Sequence, residues 1–520
     1  MLRYNSRMKK LDTNTLPDDI EALKAMLLEQ QAETARWKHD FYHLLEKWQL
    51  ELKKRFAASS EGLPGQGDLF NEIEDILKPD EDEVAAEQHV AYTRKVGRRA
   101  RLDAPLPRTE IVHDISDDEK TCECCGTDMH RMGEDVSEKL DFIPAKVQVI
   151  RHVRPKYSCR TCEQQGTETK IKQAPMPLSI LPKSIATPSL LGQIITAKFQ
   201  YGLPLYRQET MFKQFGADIS RQTMSRWLVA VSQKLEPLYQ RMHDLLVQQP
   251  VLWADETTLK VIQSEKSKSY MWVYGCGGDK PPPASTSPPP NIVLYDYQDG
   301  RGGIHPKDFL KGYRGPLQVD GYQGYEQTEA KLAGCWAHAR RKFVDAKTVQ
   351  GKKKTGRADV AIKFIQKLYR VERLMKDKSA DERLHARQTE STTVMNDFKK
   401  WLDTQLTQVP PTSVLGKAVQ YTLNQWSKLQ VYLTDGRINI DNNRAERAIK
   451  PFVIGRKAWL FANTHGGADA SAVLYSLVET AKANDLQPID YLMSLFEQWP
   501  LIKDGDDIDH LLPWNIELTR

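Results

Sequence analysis

Three carboxylates far apart in the chain stand in segments that suit metal chemistry. They are Asp255 in Trp253-Ala254-Asp255-Glu256-Thr257, Asp320 in Gln318-Val319-Asp320-Gly321-Tyr322, and Glu446 in Asn442-Asn443-Arg444-Ala445-Glu446-Arg447. Converging carboxylates hold Mg2+ or Mn2+, and cations so held serve the cutting and joining of phosphodiesters. A second set consists of thiols, in Cys122-x-x-Cys125 and Cys159-x-x-Cys162. Two such pairs supply the tetrahedral soft ligands of a structural Zn2+. Cys124 is a surplus thiol that could displace Cys125, but only Cys125 keeps the two-residue gap, and His130 and His152 are weaker substitutes. Cys276 and Cys335 fall at the ends of expected strands and read as buried, inert thiols.

The elements that must position the carboxylates begin beyond Pro250, where the period turns strand-like. Residues 251–254, 270–275 and 291–297 read as three successive strands, with a Pro-rich loop at 281–290 before the third. A helix at 306–313, a strand at 316–319, a short helix at 325–331, a strand at 332–335 and a helix through 338–344 give the order β-β-β-α-β-α-β-α. Asp255 then leaves the first strand and Asp320 the fourth, the latter just before a Gly that permits a tight backbone path. If those strands are adjacent and parallel, both acids reach one sheet edge, as in an RNase H-like fold. Strand alternation turns Glu256 to the opposite face.

Residues 359–433 return to helical periodicity and form an insertion. After it, Asp441 or Asn442 caps a helix that carries Glu446 and that Pro451 closes. Glu446 is either the third metal ligand or the i,i+4 surface partner of Lys450. His338, Arg340, Arg341 and Lys342 follow the fifth strand near the same edge. They could hold phosphates or aid proton transfer, or be packed and solvated side chains. Arg456 and Lys457 carry the same two readings.

Upstream, a seven-residue repeat runs through Ile20, Leu23, Leu27, Gln30, Thr34, Trp37, Phe41, Leu44 and Trp48, with Pro17-Asp18-Asp19 as a start signal. It predicts a long helix that pairs with another helix, in its own chain or in a second copy. Residues 57–107 are breaker-rich and charged and read as a linker with one short helix near residues 70–77. The segments Leu140-Asp141-Phe142 and 147–153 look like hairpin arms between the thiol pairs, which together make a zinc ribbon. Residues 180–246 are helical in pattern. Within them a helix at 205–215, a turn at Gly216-Ala217-Asp218 and a second helix capped by Ser220 make either a helix-turn-helix or an ordinary helical hairpin. In the first case Arg221, Gln222 and Arg226 would face DNA.

A length of 520 residues implies several domains, and 28% charged residues with 40% hydrophobic ones imply a folded chain. The net charge of +5 is small, so its distribution matters more than its sum. An acidic run at 72–87 is followed by Arg94, Lys95, Arg98, Arg99 and Arg101, and residues 340–357 hold eight Lys or Arg against Asp345 alone. Such basic blocks suit phosphate contacts. Seven cysteines unevenly placed exclude a secreted disulfide framework, and no apolar stretch reaches membrane-spanning length, so a cytoplasmic location is expected.

These residues together resemble the IS66 family of bacterial insertion-sequence transposases over nearly the whole chain. The likeness is carried by Leu16-Pro17-Asp18-Asp19, Gly133-Glu134-Asp135-Val136-Ser137-Glu138, Arg151-His152-Val153-Arg154-Pro155-Lys156-Tyr157, Leu203-Pro204-Leu205-Tyr206-Arg207-Gln208, Ala254-Asp255-Glu256-Thr257, Cys335-Trp336-Ala337-His338-Ala339-Arg340-Arg341-Lys342-Phe343 and Asp441-Asn442-Asn443. The resemblance implies a multidomain α/β protein whose RNase H-like DDE core is interrupted by a helical insertion. A leucine-zipper-like helix, a zinc ribbon and a helix-turn-helix-like domain would precede that core. The acidic triad maps onto Asp255, Asp320 and Glu446. The expected divisions are the zipper-like helix at 1–57, a linker at 58–108, the ribbon at 109–175, a helical DNA-binding domain at 176–248, the core at 249–345 and 437–503, the insertion at 346–436 and a tail at 504–520. The partners implied are double-stranded DNA, as terminal inverted repeats and target, a second copy of the chain or a larger assembly, and small accessory proteins encoded by the same element. Competing readings are a DNA-binding repressor on a non-catalytic scaffold and a structure-specific nuclease.

Overall fold

The computed structural model describes residues 19–56, 109–110, 145–158, 160, 171–278, 290–349, 356–503 and 505–518. The chain divides into two units, residues 78–152 and the remainder. In the smaller unit the described residues carry neither strand nor helix. The arm expected at 147–153 is not a strand among the described residues, where its residues are exposed throughout. Regular pairing begins just after it in the larger unit, where β1 (Lys156–Tyr157) runs antiparallel to β2 (Lys172–Gln173). The four ribbon cysteines, Leu140-Asp141-Phe142 and the linker at 58–108 lie outside the described residues.

The seven-residue repeat becomes helix α1 (Ile20–Phe56). Its seam residues Ile20, Leu27, Trp37, Phe41 and Leu44 remain 61–68% exposed. Four helices follow the hairpin: α2 (Pro188–Phe199), α3 (Leu205–Gln214), α4 (Arg221–Lys234) and α5 (Glu236–Leu246). The turn between α3 and α4 falls where the sequence places it. Gly216 sits at φ 82°, a left-handed conformation that favours glycine, and the Ser220 hydroxyl accepts from the Thr223 amide at 3.2 Å.

The second half of the unit is built on a five-stranded sheet. Its strands are β3 (Leu252–Leu259), β4 (Ser269–Cys276), β5 (Ile292–Gln298), β6 (Pro316–Gln318) and β7 (Lys331–Ala333), in the order β5-β4-β3-β6-β7. The first three pair antiparallel with one another, whereas β6 and β7 run parallel to β3. Every residue of β4 except Tyr270 is buried, as a strand covered on both faces requires. β3 outruns its expected end at residue 254 because β4 pairs with it as far as Leu259, which leaves Asp255 in mid-strand. Helix α6 (Ile304–Phe309) precedes β6, and the short helix expected at 325–331 is a 3-10 turn at Gln323–Gln327. Helix α7 (Trp336–Val349) leaves β7.

The insertion comprises α8 (Arg357–Leu374), α9 (Ala380–Ala386), α10 (Thr392–Gln408), α11 (Val414–Asn424) and α12 (Trp426–Leu429). It has a core of its own, formed by Ile365, Leu368, Phe398, Leu402, Val419 and Trp426 against Trp336 and Phe343 of α7. The chain then returns to the sheet through α13 (Asn443–Trp459), α14 (His465–Ala483) and α15 (Pro488–Gln498). Pro451 does not close α13, which continues to Trp459. Burial of Ile449, Phe452 and Gly455 on both sides of the proline offsets the one backbone hydrogen bond it removes. α14 covers edge strand β5 through hydrogen bonds as well as apolar contact. Ser476 Oγ accepts from the Tyr295 amide at 2.7 Å, and Thr480 Oγ1 both accepts from the Val293 amide at 3.1 Å and donates to the Val293 carbonyl at 2.9 Å. The edge is thereby closed to further strand pairing.

Candidate active site

The parallel pairing of β3 with β6 carries two of the three acids to the same place. Trp253 lies opposite Gln318, so Asp255 stands two residues beyond this pair on one strand and Asp320 two beyond it on the other. Gly321 lets the chain turn there, with φ 103°. A Cβ in its place would also meet Gln425 and the Tyr421 hydroxyl of the insertion at 3.3 Å. Tyr421 in turn donates to the Asp320 carbonyl at 3.1 Å, and Asp320 Oδ1 accepts from the Tyr322 amide at 2.9 Å. The insertion thus braces the loop that presents Asp320.

Glu446 arrives in the first turn of α13, only 4% exposed. That turn is fixed to the sheet by Asn442, whose Nδ2 donates to the Ala254 carbonyl at 2.9 Å and whose amide donates to Cys335 Sγ at 3.2 Å. Asn442 therefore precedes the helix without capping it through its side chain, while Asp441 Oδ1 accepts from the Asn443 amide at 3.2 Å.

Burial, with the charges of Glu256, Asp320 and Glu446 behind it, raises Asp255 well above the usual carboxylate range. The three acids are thus within electrostatic reach of one another. A cluster of partly buried like charges is costly without a counter-charge, and a divalent cation is the natural one. Among the described residues, no group of three or more His, Cys, Asp or Glu side chains is already drawn into a coordination shell. The donor set nonetheless fits a hard cation, with oxygen ligands delivered by three separate elements.

His338 Nδ1 lies 3.6 Å from Glu446 Oε1. Burial first, then Arg341 and Lys342, hold the imidazole below its ordinary pKa although Asp320 opposes them, so it is neutral at pH 7. Lys342 is exposed and passes over the Tyr421 ring at 5.7 Å. Arg341 and Lys342 lie within electrostatic reach of His338, on the same side of the helix. Arg340 lies some 200° round the helix from His338 and does not join them. Arg456 is engaged by β3, donating to Thr257 Oγ1 at 3.2 Å and Thr258 Oγ1 at 3.1 Å, while Lys457 is exposed. Arg221, Gln222 and Arg226 of α4 are exposed, whereas Met224, Leu228 and Val231 are buried.

One group of site residues escaped the sequence reading. Glu256, with a side chain only 1% exposed, accepts from Arg301 Nε at 3.0 Å and from the Tyr325 hydroxyl at 2.7 Å. Arg301 stacks on Tyr322, 3.9 Å from the ring centre, and the Tyr322 hydroxyl donates to the Arg301 carbonyl. Asp320 also acts on Glu256, so this carboxylate is not removed from the acidic cluster by strand alternation. The available signal was Asp299-Gly300-Arg301-Gly302-Gly303, a Gly-rich loop holding a single Arg directly after a strand.

Comparison with known proteins places this geometry in context. The model of the transposase IS66 family matches residues 183–470, which include all three acids. The zinc-finger binding domain of transposase IS66 matches residues 119–163, spanning the four cysteines. The IS66 C-terminal element matches residues 476–514, and a model described as transposase C of IS166 homeodomain matches residues 43–111. Among curated relatives, the uncharacterized protein y4jD of Sinorhizobium fredii is 32% identical over 96% of this chain and 97% of its own length. Two further uncharacterized proteins of that organism, y4qI and y4hP, are each 32% identical over 96% and 90% of the chain and 98% and 87% of their own lengths. No solved structure matches the chain.

Proposed function

The chain belongs to the IS66 transposase family, and from that premise we propose that it moves an insertion sequence by metal-dependent strand cleavage and strand transfer at the element ends. The observation that carries the reading is the convergence of Asp255, Asp320 and Glu446 at the parallel junction of β3 and β6, where burial and the charges of Glu256, Asp320 and Glu446 raise Asp255. The strand order, with antiparallel β3 to β5 and parallel β6 and β7, supports an RNase H-like core. Asp255, Asp320 and Glu446 would hold Mg2+ or Mn2+, which supplies Lewis-acid stabilisation of the phosphoryl charge and a more acidic attacking water or hydroxyl.

The chain's own residues account for the rest. Asn442 and Tyr421 fix the elements that present Glu446 and Asp320. The neutral His338 beside Glu446 is placed to accept a proton from the attacking water, and Arg341 and Lys342 supply positive charge for the flanking phosphates. Away from the chemistry, α4 offers Arg221, Gln222 and Arg226 to the terminal repeats. The zinc finger, with Cys122, Cys125, Cys159 and Cys162 as ligands of Zn2+, gives a second DNA contact. Two ends must be held together, and the exposed apolar seam of α1 suits pairing with a second copy.

The test is nicking and strand transfer in Mg2+ on DNA carrying the element ends, comparing wild type with Asp320→Asn. Loss of both activities in the variant, with end binding retained, is expected. Equal cleavage by both proteins overturns the assignment, and specific end binding by a wild type that never cleaves assigns the chain to a repressor instead.

A further inference from the structure

A cavity of about 540 Å3 opens where β3 begins and β4 ends, against the helical insertion, and Gln318, two residues before Asp320, is among its lining residues. Its wall carries Lys376 and Arg383 from the insertion and Arg444 and Arg447 from the first turns of α13. A further lining cation, Arg437, is bonded to Asp435 at 2.7 Å. The two lining acids already have strong partners. Glu372 binds the fully buried Arg387 through contacts of 2.7 and 2.6 Å, and Asp441 accepts from the Tyr369 hydroxyl at 2.9 Å and from the Asn443 amide. Arg444 donates to the Gly277 carbonyl and lies 5.3 Å from the centre of the Trp253 ring, and the lining cations still outnumber the lining acids.

Two of its N–H groups also lack an acceptor. Arg383 Nε and Trp253 Nε1 are buried without a hydrogen-bond partner among the described residues, and Trp253 is only 3% exposed. Both residues line the cavity, and a buried donor without an acceptor is uncommon in a folded protein. Arg383 is further held below its ordinary value by burial and by the neighbouring Arg387, a like-charge repulsion that an anion would relieve.

We propose that this cavity binds a phosphate-dense anion, supplied either by a free polyphosphate or by consecutive phosphates of a single DNA strand. Phosphate oxygens only accept hydrogen bonds, which matches a wall of cations and surplus donors. The volume is that of a small-ligand pocket and excludes a duplex. None of the three carboxylates lines the cavity, so it can be tested whether or not they are catalytic.

Calorimetric titration of the full chain with inorganic tripolyphosphate, without added divalent metal, is the direct measurement. Wild type should bind stoichiometrically. Lys376→Glu combined with Arg447→Glu should weaken binding roughly tenfold or more. Lys400→Glu combined with Lys417→Glu, an equal charge change at exposed positions that do not line the cavity, should bind as wild type does. A short single-stranded oligonucleotide distinguishes the sources. Displacement of it by tripolyphosphate from wild type, with that fraction missing in the Lys376/Arg447 variant, assigns the site to a strand. Tripolyphosphate binding without displacement assigns it to a free polyphosphate. No tripolyphosphate binding to wild type, or equal weakening in both double variants, overturns the proposal.

Discussion

Glu256 and Asp255 are neighbours in sequence with different surroundings, and the difference lies in what each side chain touches. Asp255 accepts a hydrogen bond from the Glu256 amide and otherwise faces acids, whereas Glu256 is held by Arg301 and Tyr325. Glu256 thereby ties the loop after β5 to the loop that carries Asp320. Replacing it by Ala should cost about 1–3 kcal/mol in denaturant unfolding, because buried hydrogen bonds are lost. It should also slow strand cleavage roughly 10- to 100-fold by loosening Asp320. Glu256→Gln, which can still accept from Tyr325, should recover most of the stability. A second residue reports on pH. Burial, aided by Asp469 and opposed by a bond from Gln298, pushes Asp296 up to about 7, against about 3.9 in an unfolded chain. The folded state then binds this proton more tightly than the unfolded state does. Its contribution therefore lowers stability as pH rises from about 4 to about 7 and levels off above. Asp296→Asn should remove that loss and stabilise the protein at pH 8 by roughly 2–4 kcal/mol, measured by urea unfolding at pH 5 and pH 8.

Among the elements, helix α4 was read closely because its signals are local. The Gly216 turn, the Ser220 cap and the spacing of Met224, Leu228 and Val231 fix both its start and its buried face. Its exposed face carries the testable consequence. Arg226→Ala should weaken binding to the terminal repeats and reduce the salt slope of binding by about one, as expected for a phosphate contact, in gel-shift titrations at several salt concentrations. An unchanged slope would place Arg226 outside the interface. The strands were found in number and order but not in length, since pairing decides where a strand stops and the partner is remote. β3 runs on to Leu259 only because β4 lies beside it. The closure of β5 by Ser476 and Thr480 was likewise hidden, as nothing near those residues signals a strand almost two hundred positions away. Pro451 misled for a similar reason: local preference marks a stop, and tertiary burial carries the helix through it.

In the whole molecule, the acidic site depends on an element that contributes none of its acids. The insertion has a separate core, and through Tyr421 and Gln425 it touches the Asp320 loop. Phe398→Ala in that core should cost about 3–5 kcal/mol. Hydrogen exchange should then quicken in the insertion and around Asp320 and Gly321 while β3 to β5 keep their protection. That coupling could not be read from the sequence, because the aromatic set joining Trp336, Phe364, Phe398, Trp401 and Trp426 is assembled from α7 and three insertion helices. What could be read was the parallel placement of the strands bearing Asp255 and Asp320. The third, Glu446, comes from beyond the insertion, and the account stands on all three acting together. The decisive measurement is Mn2+ binding, followed by electron paramagnetic resonance, to wild type and to Asp255→Asn, Asp320→Asn and Glu446→Gln. The account predicts tight binding by wild type and at least tenfold weaker binding by each variant. Wild-type affinity in Glu446→Gln would contradict it.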